Sequence, residues 1–576
     1  MKRKIIAFML VLLMLCPLML AGCGGGKEPA ETDVEGVGKT TVRDTVTLTM
    51  WVVTDEKTTP EAQEAVEKAI NVITKSTYTT AIDMIFYTKE EYDAALDAKF
   101  DAVDESIANG TPAKPKDVVT GEQYFVNELG VNELKYPDVY ENQVDIVFIA
   151  GRDRLNSLVE AGRLMKLNDS LSSTGAAKIL NDVIPQQFFT HTMLGLSGKD
   201  SYAVPNNRVV GDYTYLLINK ELVTGDANGD GTVSGDEIKG TYLNFSDIVN
   251  DIDKGSFSDW KTFEEIVEYA KVNKTDMIPL LSKFENPYVK YWSEDGSFSV
   301  IASKVLRPDL SYEDNSFEQQ LQLGNVFANT SYTNFELLMK KYELENYLAD
   351  DVEAAKAAKN FGVGVIKGDN SVIEQYSDNY YIKVIENPEL NDDNLFTSFY
   401  GITNYTINFD RALEIIVCLN TNSEFRNTLQ YGVEGTHYEI NEHGRVERFN
   451  DDYIMDITTT GNVFIAYPEE DMADDVWERG VASNLDIQVD PMTGFWKVES
   501  KISDDLYKQL ADFSQTCKEA IDACQTVEEL DSCFKTLRAD VNKSSVFSQA
   551  RASSVPSSIY YVYNEWFLEN WPVPES

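Results

Sequence analysis

Strand and helix patterns alternate along the first part of this chain, and that alternation constrains its fold more than any other feature. Residues 45–53 (TVTLTMWVV) alternate in polarity and are rich in β-branched side chains, so they read as a strand. Thr59 and Pro60 then supply an N-cap threonine and a proline at the first helical position. The helix they open has an apolar face of Ala62, Val66, Ala69, Ile70 and Ile73. Residues 81–87 (AIDMIFY) read as a second strand, and the segment from Glu90 as a second helix. Residues 144–150 (VDIVFIA) form a continuous apolar run, as in a strand buried on both faces, and 155–161 follow as a helix. Short links between such elements imply a mainly parallel, doubly wound α/β sheet. Ligands of such sheets bind beyond the carboxyl ends of the strands. The pattern restarts with a strand at 213–219 and a helix over 262–271, where Thr262 and Glu265 have capping-box spacing. Residues 101–142 are polar and turn-rich and read as an excursion.

The chain has 576 residues, enough for two or more large cores. It carries 95 Asp+Glu against 50 Lys+Arg, a net charge of −45, which excludes nucleic acid as the main ligand because a phosphate backbone needs clustered cations. Only three histidines occur, His191, His437 and His443, which argues against a multi-histidine metal enzyme. No G-x-S-x-G elbow, P-loop or H-E-x-x-H string is present. His437, in a glycine-punctuated turn, reads as structural. Cys418 reads as core. Cys517, Cys524 and Cys533 fall in an expected helical hairpin at 503–540 and read as buried thiols, with a Cys517–Cys533 disulfide as the alternative.

Lys2, Arg3 and Lys4 precede an apolar run from Ile5 to Leu20, the layout of a secretory signal. The run ends in Leu20-Ala21-Gly22-Cys23, which closely resembles a bacterial lipobox. That resemblance implies removal of residues 1–22 and diacylation of Cys23, and two acyl chains anchor far better than one. Residues 23–44, opening Gly24-Gly25-Gly26, then read as a flexible tether.

Longer strings extend the comparison. "VDIVFIAGRDRLNSLVEAGRLMKLND", "YAVPNNRVVGDYTYLLINKELV" and "NFDRALEIIVCLNTNSEFRNTLQYGVEGTHYEI" resemble segments of extracellular solute-binding lipoproteins of ABC importers, in the large carbohydrate-type family of Gram-positive bacteria. The resemblance covers nearly all of residues 45–576. It implies a periplasmic-binding-protein-like fold of two α/β lobes joined by a hinge, closing on a ligand in an interlobe cleft. The implied division is 45–203 for lobe 1, 204–395 for lobe 2, 396–485 for the return to lobe 1, and 486–576 for a helical end of lobe 2. It further implies a monomer on the outer face of the cell membrane that delivers its solute to ABC permease subunits. The excursion at 101–142 and the hairpin at 503–540 depart from the family pattern.

One motif carries metal chemistry by spacing alone. Residues 226–237 (DANGDGTVSGDE) match the twelve-residue EF-hand loop, in which calcium takes six to eight hard oxygens around a tight turn. Asp226, Asn228 and Asp230 hold positions 1, 3 and 5, the Thr232 carbonyl holds position 7, and Glu237 closes the loop at position 12. A single loop without a partner suits a structural Ca2+ clamp better than a sensor, which needs a helix pair that opens. For the ligand, a pyranose presents apolar C–H faces to aromatic rings and hydroxyls to planar polar groups. Position near expected strand ends selects Trp51, Asn206, Asn207, Arg208, Trp292, Phe399, Asn404 and Trp496 as candidate sugar contacts. No catalytic residue is assigned. An oligosaccharide is the expected solute; a peptide or another solute, or a polysaccharide-active surface enzyme, are the competing readings.

If residues 226–237 bind calcium structurally, chelation lowers the melting temperature, because a ligand bound only to the folded state adds to its stability. Glu237→Gln lowers it comparably by weakening the bidentate ligand. A melting curve unmoved by chelator makes the segment an ordinary turn.

Overall fold

A computed structural model of the protein describes residues 43–114, 124–126, 132–194, 199–223, 249, 260–287, 289–293, 297–304, 323–470, 472–490 and 492–570. Cys23, the signal segment 1–22 and the calcium-loop residues Asp226, Asn228, Asp230, Thr232 and Glu237 lie outside the described residues. The chain divides into two compact units, Met1–Val209 with Asp392–Val481, and Val210–Asn391 with Ala482–Ser576. It therefore passes from one unit to the other at 209–210, 391–392 and 481–482.

The two main sheets are built from β1 (Val46–Thr54), β2 (Thr80–Thr88), β3 (Ile146–Ile149), β4 (Ala203–Pro205), β5 (Tyr213–Asn219), β6 (Ile278–Leu280), β7 (Phe361–Gly368), β8 (Tyr380–Glu386) and β9 (Phe399–Ile402). In unit 1 the order is β2-β1-β3-β9-β4. β1 runs parallel to β2 and β3, while β9 runs antiparallel to β3 and β4. All four residues of β3 are buried, as its unbroken apolar run requires. The Pro60–Tyr78 helix begins as read, with the Thr59 hydroxyl accepting the Ala62 N–H at 3.2 Å. It buries Ala62, Val66, Ile70 and Ile73. Asp145, at the head of β3, is buried and pins three segments. Its Oδ2 accepts from Thr49 N at 2.8 Å and Gln143 Nε2 at 2.7 Å, and its Oδ1 from Thr406 Oγ1 at 2.7 Å and Ile407 N at 3.0 Å. Burial raises the Asp145 pKa in spite of these donors.

In unit 2 the order is β8-β5-β7-β6, with β5 antiparallel to β7 and β8, and β7 parallel to β6. The period-2 alternation of β5 feeds two cores. Leu216 and Ile218 pack with Trp260, Phe263 and Ile266 of the Lys261–Asn273 helix on one face. Tyr213, Tyr215 and Leu217 pack with Phe361, Tyr376 and Tyr380 on the other. The capping box read at Thr262 and Glu265 is displaced: the helix starts at Lys261, with Trp260 at the cap position. Trp260 is fully buried in the first of these cores. A third core joins residues 289–292, 298–302 and 323–327 to the helices Asp504–Asp522 and Val527–Lys543, the expected hairpin. Cys418, Cys517, Cys524 and Cys533 are free thiols.

His437 shows how closely one turn is fitted. Gly432 adopts φ +87°, and a Cβ there would lie 2.4 Å from His437 Nδ1. That nitrogen accepts the Val433 N–H at 2.9 Å, and the ring stacks on Tyr453. Burial lowers the His437 pKa, so the unfolded chain takes up this proton first and stability falls as pH drops below about 6.5. An NMR titration of the His437 ring is expected to give a midpoint below that of a free histidine. A midpoint above it contradicts the burial account.

Candidate functional site

In unit 1 the parallel strands β1, β2, β3 and β4 end, and the antiparallel β9 begins, at one edge of the sheet. Chain segments also leave the unit at this edge, directly after β4 and before β9. Backbone groups released from a ladder need new partners, and three consecutive candidate residues supply them. Asn206 Nδ2 donates to Ser398 Oγ at 2.7 Å and to the Thr458 carbonyl at 3.3 Å. Asn207 Nδ2 donates to the Val183 carbonyl at 2.5 Å, and its own carbonyl accepts from Val463 N at 2.8 Å. Arg208 donates to the carbonyls of Asn206 at 3.1 Å, Leu395 at 3.0 Å and Asn394. Burial lowers its pKa to about 10. The donors of all three side chains thus hold the framework, while Asn206 Oδ1 and Asn207 Oδ1 are buried and have no hydrogen-bond partner among the described residues.

The other candidates fall in different places. Trp51 lies inside β1 rather than after it, is 4% exposed and stacks on Tyr87 with centroids 5.7 Å apart. Its Nε1 is buried without a partner among the described residues. Phe399 opens β9 and is buried against Phe396. Asn404 follows the far end of β9, so the antiparallel course of that strand carries it to the amino edge. There its Nδ2 holds the Gly162 carbonyl at 2.6 Å. Trp292 is a core residue of unit 2, with Phe495 at 5.8 Å and Tyr507 at 5.2 Å. It directly follows a short strand, Val289–Tyr291. Trp496 sits half-buried in a 3-10 turn beside Lys497.

Sequence reasoning missed the segment 453–467, which lies along the unit 1 edge. The Ile454 carbonyl accepts from Asp55 N at 3.1 Å, and the Thr459 carbonyl from Tyr400 Oη at 2.9 Å. One face of the Ser423–Tyr431 helix grips it from behind. Arg426 donates to the carbonyls of Ile457 at 2.7 Å and Asn462 at 3.1 Å, and Gln430 to that of Met455 at 2.8 Å. Asp456 is exposed on this segment, where its Oδ1 accepts the Thr458 N–H at 2.8 Å. The available signal was the string D-I-T-T-T-G at 456–461, a turn pattern.

The carboxyl edge of the unit 2 sheet is where β6, β7 and β8 end and β5 begins. Tyr213 Oη donates to Asp486 at 2.6 Å, and Tyr215 Oη to Asn370 Oδ1 at 3.0 Å. Burial raises the Asp212 pKa, with the charge of Asp369 adding to the effect. Lys290 ties Glu389, at 2.7 Å, to Asp490. At the opposite, amino edge lies an open polar concavity of about 570 Å³ lined by Asn219, Asn273, Asn360 and Asn379 among others. Among the described residues no group of three or more His, Cys, Asp or Glu side chains is disposed to hold a metal ion. No helix among them is long and apolar enough to cross a membrane.

The fold is similar to that of solved solute-binding proteins. The crystal structure of the N-glycan transport solute-binding protein NgtS from Streptococcus pneumoniae matches 91% of this chain and 99% of its own, at 16% identity and a TM-score of 0.51. An extracellular solute-binding protein from Bifidobacterium longum subsp. infantis matches 91% of this chain and 98% of its own, at 14% identity and a TM-score of 0.41. An HMO-binding, ABC-transporter-associated solute-binding protein from Bifidobacterium longum infantis matches 91% and 99%, at 12% identity and a TM-score of 0.41. No protein-family model and no curated protein sequence matches the chain.

Gly461 is the tightest point of the edge segment. Its φ is +101°, and a Cβ would stand 2.4 Å from the Leu419 carbonyl oxygen. Gly461→Ala is expected to cost about 3 kcal/mol, since strain and a backbone clash combine. Gly435, at φ +78° with open space around it, is the control, and alanine there costs about 1 kcal/mol. Denaturant midpoints check the pair; equal losses contradict the fit described for residues 453–467.

Proposed function

We propose that this protein is the solute-binding component of an ABC importer and captures an oligosaccharide with residues at the carboxyl edges of its two sheets. The observation that carries the reading is the fold, similar over 91% of this chain to that of an N-glycan transport solute-binding protein. The chemistry of the edges supports a sugar. Asp456, Asp212 and Asn370 offer planar polar groups, the buried amide oxygens of Asn206 and Asn207 are left without partners among the described residues, and the half-buried Trp496 offers ring surface. Of the original candidates, Asn206, Asn207 and Trp496 remain in this set. Trp51, Arg208, Phe399, Trp292 and Asn404 are assigned to the framework by their burial or their bonds. The protein acts as a binder without turnover, held to the extracellular face of the cell membrane through acylated Cys23 and delivering its solute to permease subunits. A structural Ca2+ at residues 226–237 belongs to the same proposal.

A thermal-shift panel of glycans and peptides tests the class. At a hundred times Kd a ligand adds about 2.7 kcal/mol to stability, which a melting curve detects. Neutral N-glycan-derived oligosaccharides are expected to raise the melting temperature, and peptides to leave it in place. Stabilisation by peptides alone, or release of a shortened glycan by the purified protein, contradicts the proposal. Anchoring has its own check: Cys23→Ala is expected to move the protein from the membrane fraction to the medium, and an unchanged membrane fraction contradicts acylation there.

A further inference from the structure

We propose that Cys524 and Cys533 are a covalent modification site: their thiols join in a disulfide across the turn of the helical hairpin when the protein meets a small-molecule disulfide such as oxidised glutathione. The inference concerns a part of unit 2 that the solute reading does not use, and it stands whatever the solute is.

The two helices bring the sulfurs together. Asp504–Asp522 buries Leu506, Leu510, Ser514 and Cys517, a stripe along one helical face. Cys524 lies two helical turns beyond Cys517, so it continues that stripe past the helix end. There its N–H donates to the Ile521 carbonyl at 3.1 Å and its Sγ–H to the Ala520 carbonyl at 3.3 Å, which holds the sulfur against the last turn. Val527–Lys543 presents Leu530, Phe534, Leu537 and Val541 to the same core, and Cys533 packs there beside Phe534. Cys517 is buried in that core, while Cys524 and Cys533 are half-buried against it. The Cys533 thiol has the Cys524 thiol as its hydrogen-bond partner. Two sulfurs in such contact need only a short further approach to bond.

The exchange runs in two steps. The Cys524 thiol gives its proton to solvent, and its thiolate attacks one sulfur of the oxidant. That S–S bond breaks, a mixed disulfide forms and one thiolate leaves. The Cys533 thiol then loses its proton, and its thiolate attacks the Cys524 sulfur and expels the second thiolate. The two departing thiolates take up two protons, so two protein thiols are oxidised and one small disulfide is reduced to two thiols. Burial raises the Cys517 and Cys533 thiols to about 11, which makes both poor first nucleophiles and leaves the first attack to Cys524 in the turn. Three thiols cannot all pair, and Cys517, 2% exposed, is the one left over. Disulfides persist in oxidising surroundings such as the extracellular space. Here the bond closes a short loop over the hairpin turn and restrains the unfolded chain, so it stabilises the third core.

The experiment exposes the purified full chain to oxidised or reduced glutathione, alkylates the remaining thiols in denaturant and maps tryptic peptides. Cleavage after Lys518 and Lys535 leaves Cys524 and Cys533 in one peptide, 519–535, and Cys517 in its neighbour, 509–518. After oxidised glutathione, peptide 519–535 is expected without alkyl groups and lighter than the dithiol by the two hydrogens lost. After reduced glutathione it takes two alkyl groups. The oxidised protein is expected to melt several degrees above the reduced one. That difference disappears in Cys524→Ser and survives in Cys517→Ser, each variant being compared with its own reduced form so that the cost of the substitution cancels. Peptide 519–535 doubly alkylated after oxidation, joined to 509–518 through Cys517, or held as a glutathione adduct overturns the inference. Equal melting curves for the oxidised and reduced protein overturn it too.

Discussion

The structure depends on how chain segments leave a sheet edge without stranding their backbone groups. A buried carbonyl or N–H without a partner costs about 1–3 kcal/mol, so a bundle of departing segments is expensive unless side chains stitch it. In unit 1, Asn206, Asn207, Arg208 and Ser398 do that, joining the segment after β4 to the one before β9 and to residues 458–463. Arg426, Asn427 and Gln430, on one helix, hold residues 455–467 from the other side. Arg426 is fully buried, and its pKa falls to about 10 through that burial, so its hydrogen bonds must offset a large desolvation cost. The result is an edge of fixed shape, with few degrees of freedom left to lose when a ligand arrives.

Unit 2 meets the same problem with charge. Glu389 opens one of two adjacent short parallel strands, Glu389–Leu390 and Gln488–Val489, Asp490 directly follows the other, and Lys290 binds both carboxylates. Gly211, at φ +70°, lies so close to the Glu389 backbone that a Cβ would approach its N and O to 2.9 Å. Each unit is thus most tightly constrained where the chain enters and leaves it. Polar side chains left over from this stitching are the ones available to a solute, which links framework and recognition at the same edges.

The α/β class, the order of the first strands and the strand at 213–219 were legible because strongly periodic apolar patterns report burial directly. The Thr59-Pro60 start was legible because a cap is local chemistry. The site was read less well, for a physical reason. An asparagine or tryptophan near a strand end has the same sequence signature whether it faces solvent or braces the framework. Arg208 and Asn404 brace it, and Trp292 is core, because partners hundreds of residues or a whole domain away decide the matter. The antiparallel course of β9 could not be read from its four residues, and it moved Asn404 to the other edge. The 453–467 segment went unnoticed because its importance lies in backbone carbonyls gripped by a distant helix, which leave no residue-type signal.

The central claim is that the solute meets the carboxyl edges, and hydrogen exchange of the full chain with and without a stabilising neutral oligosaccharide tests it most directly. The account predicts ligand-dependent protection concentrated at residues 206–215, 369–370 and 454–463. Protection at the amino-edge concavity around Asn219, Asn273 and Asn379, with the carboxyl edges unchanged, would contradict it.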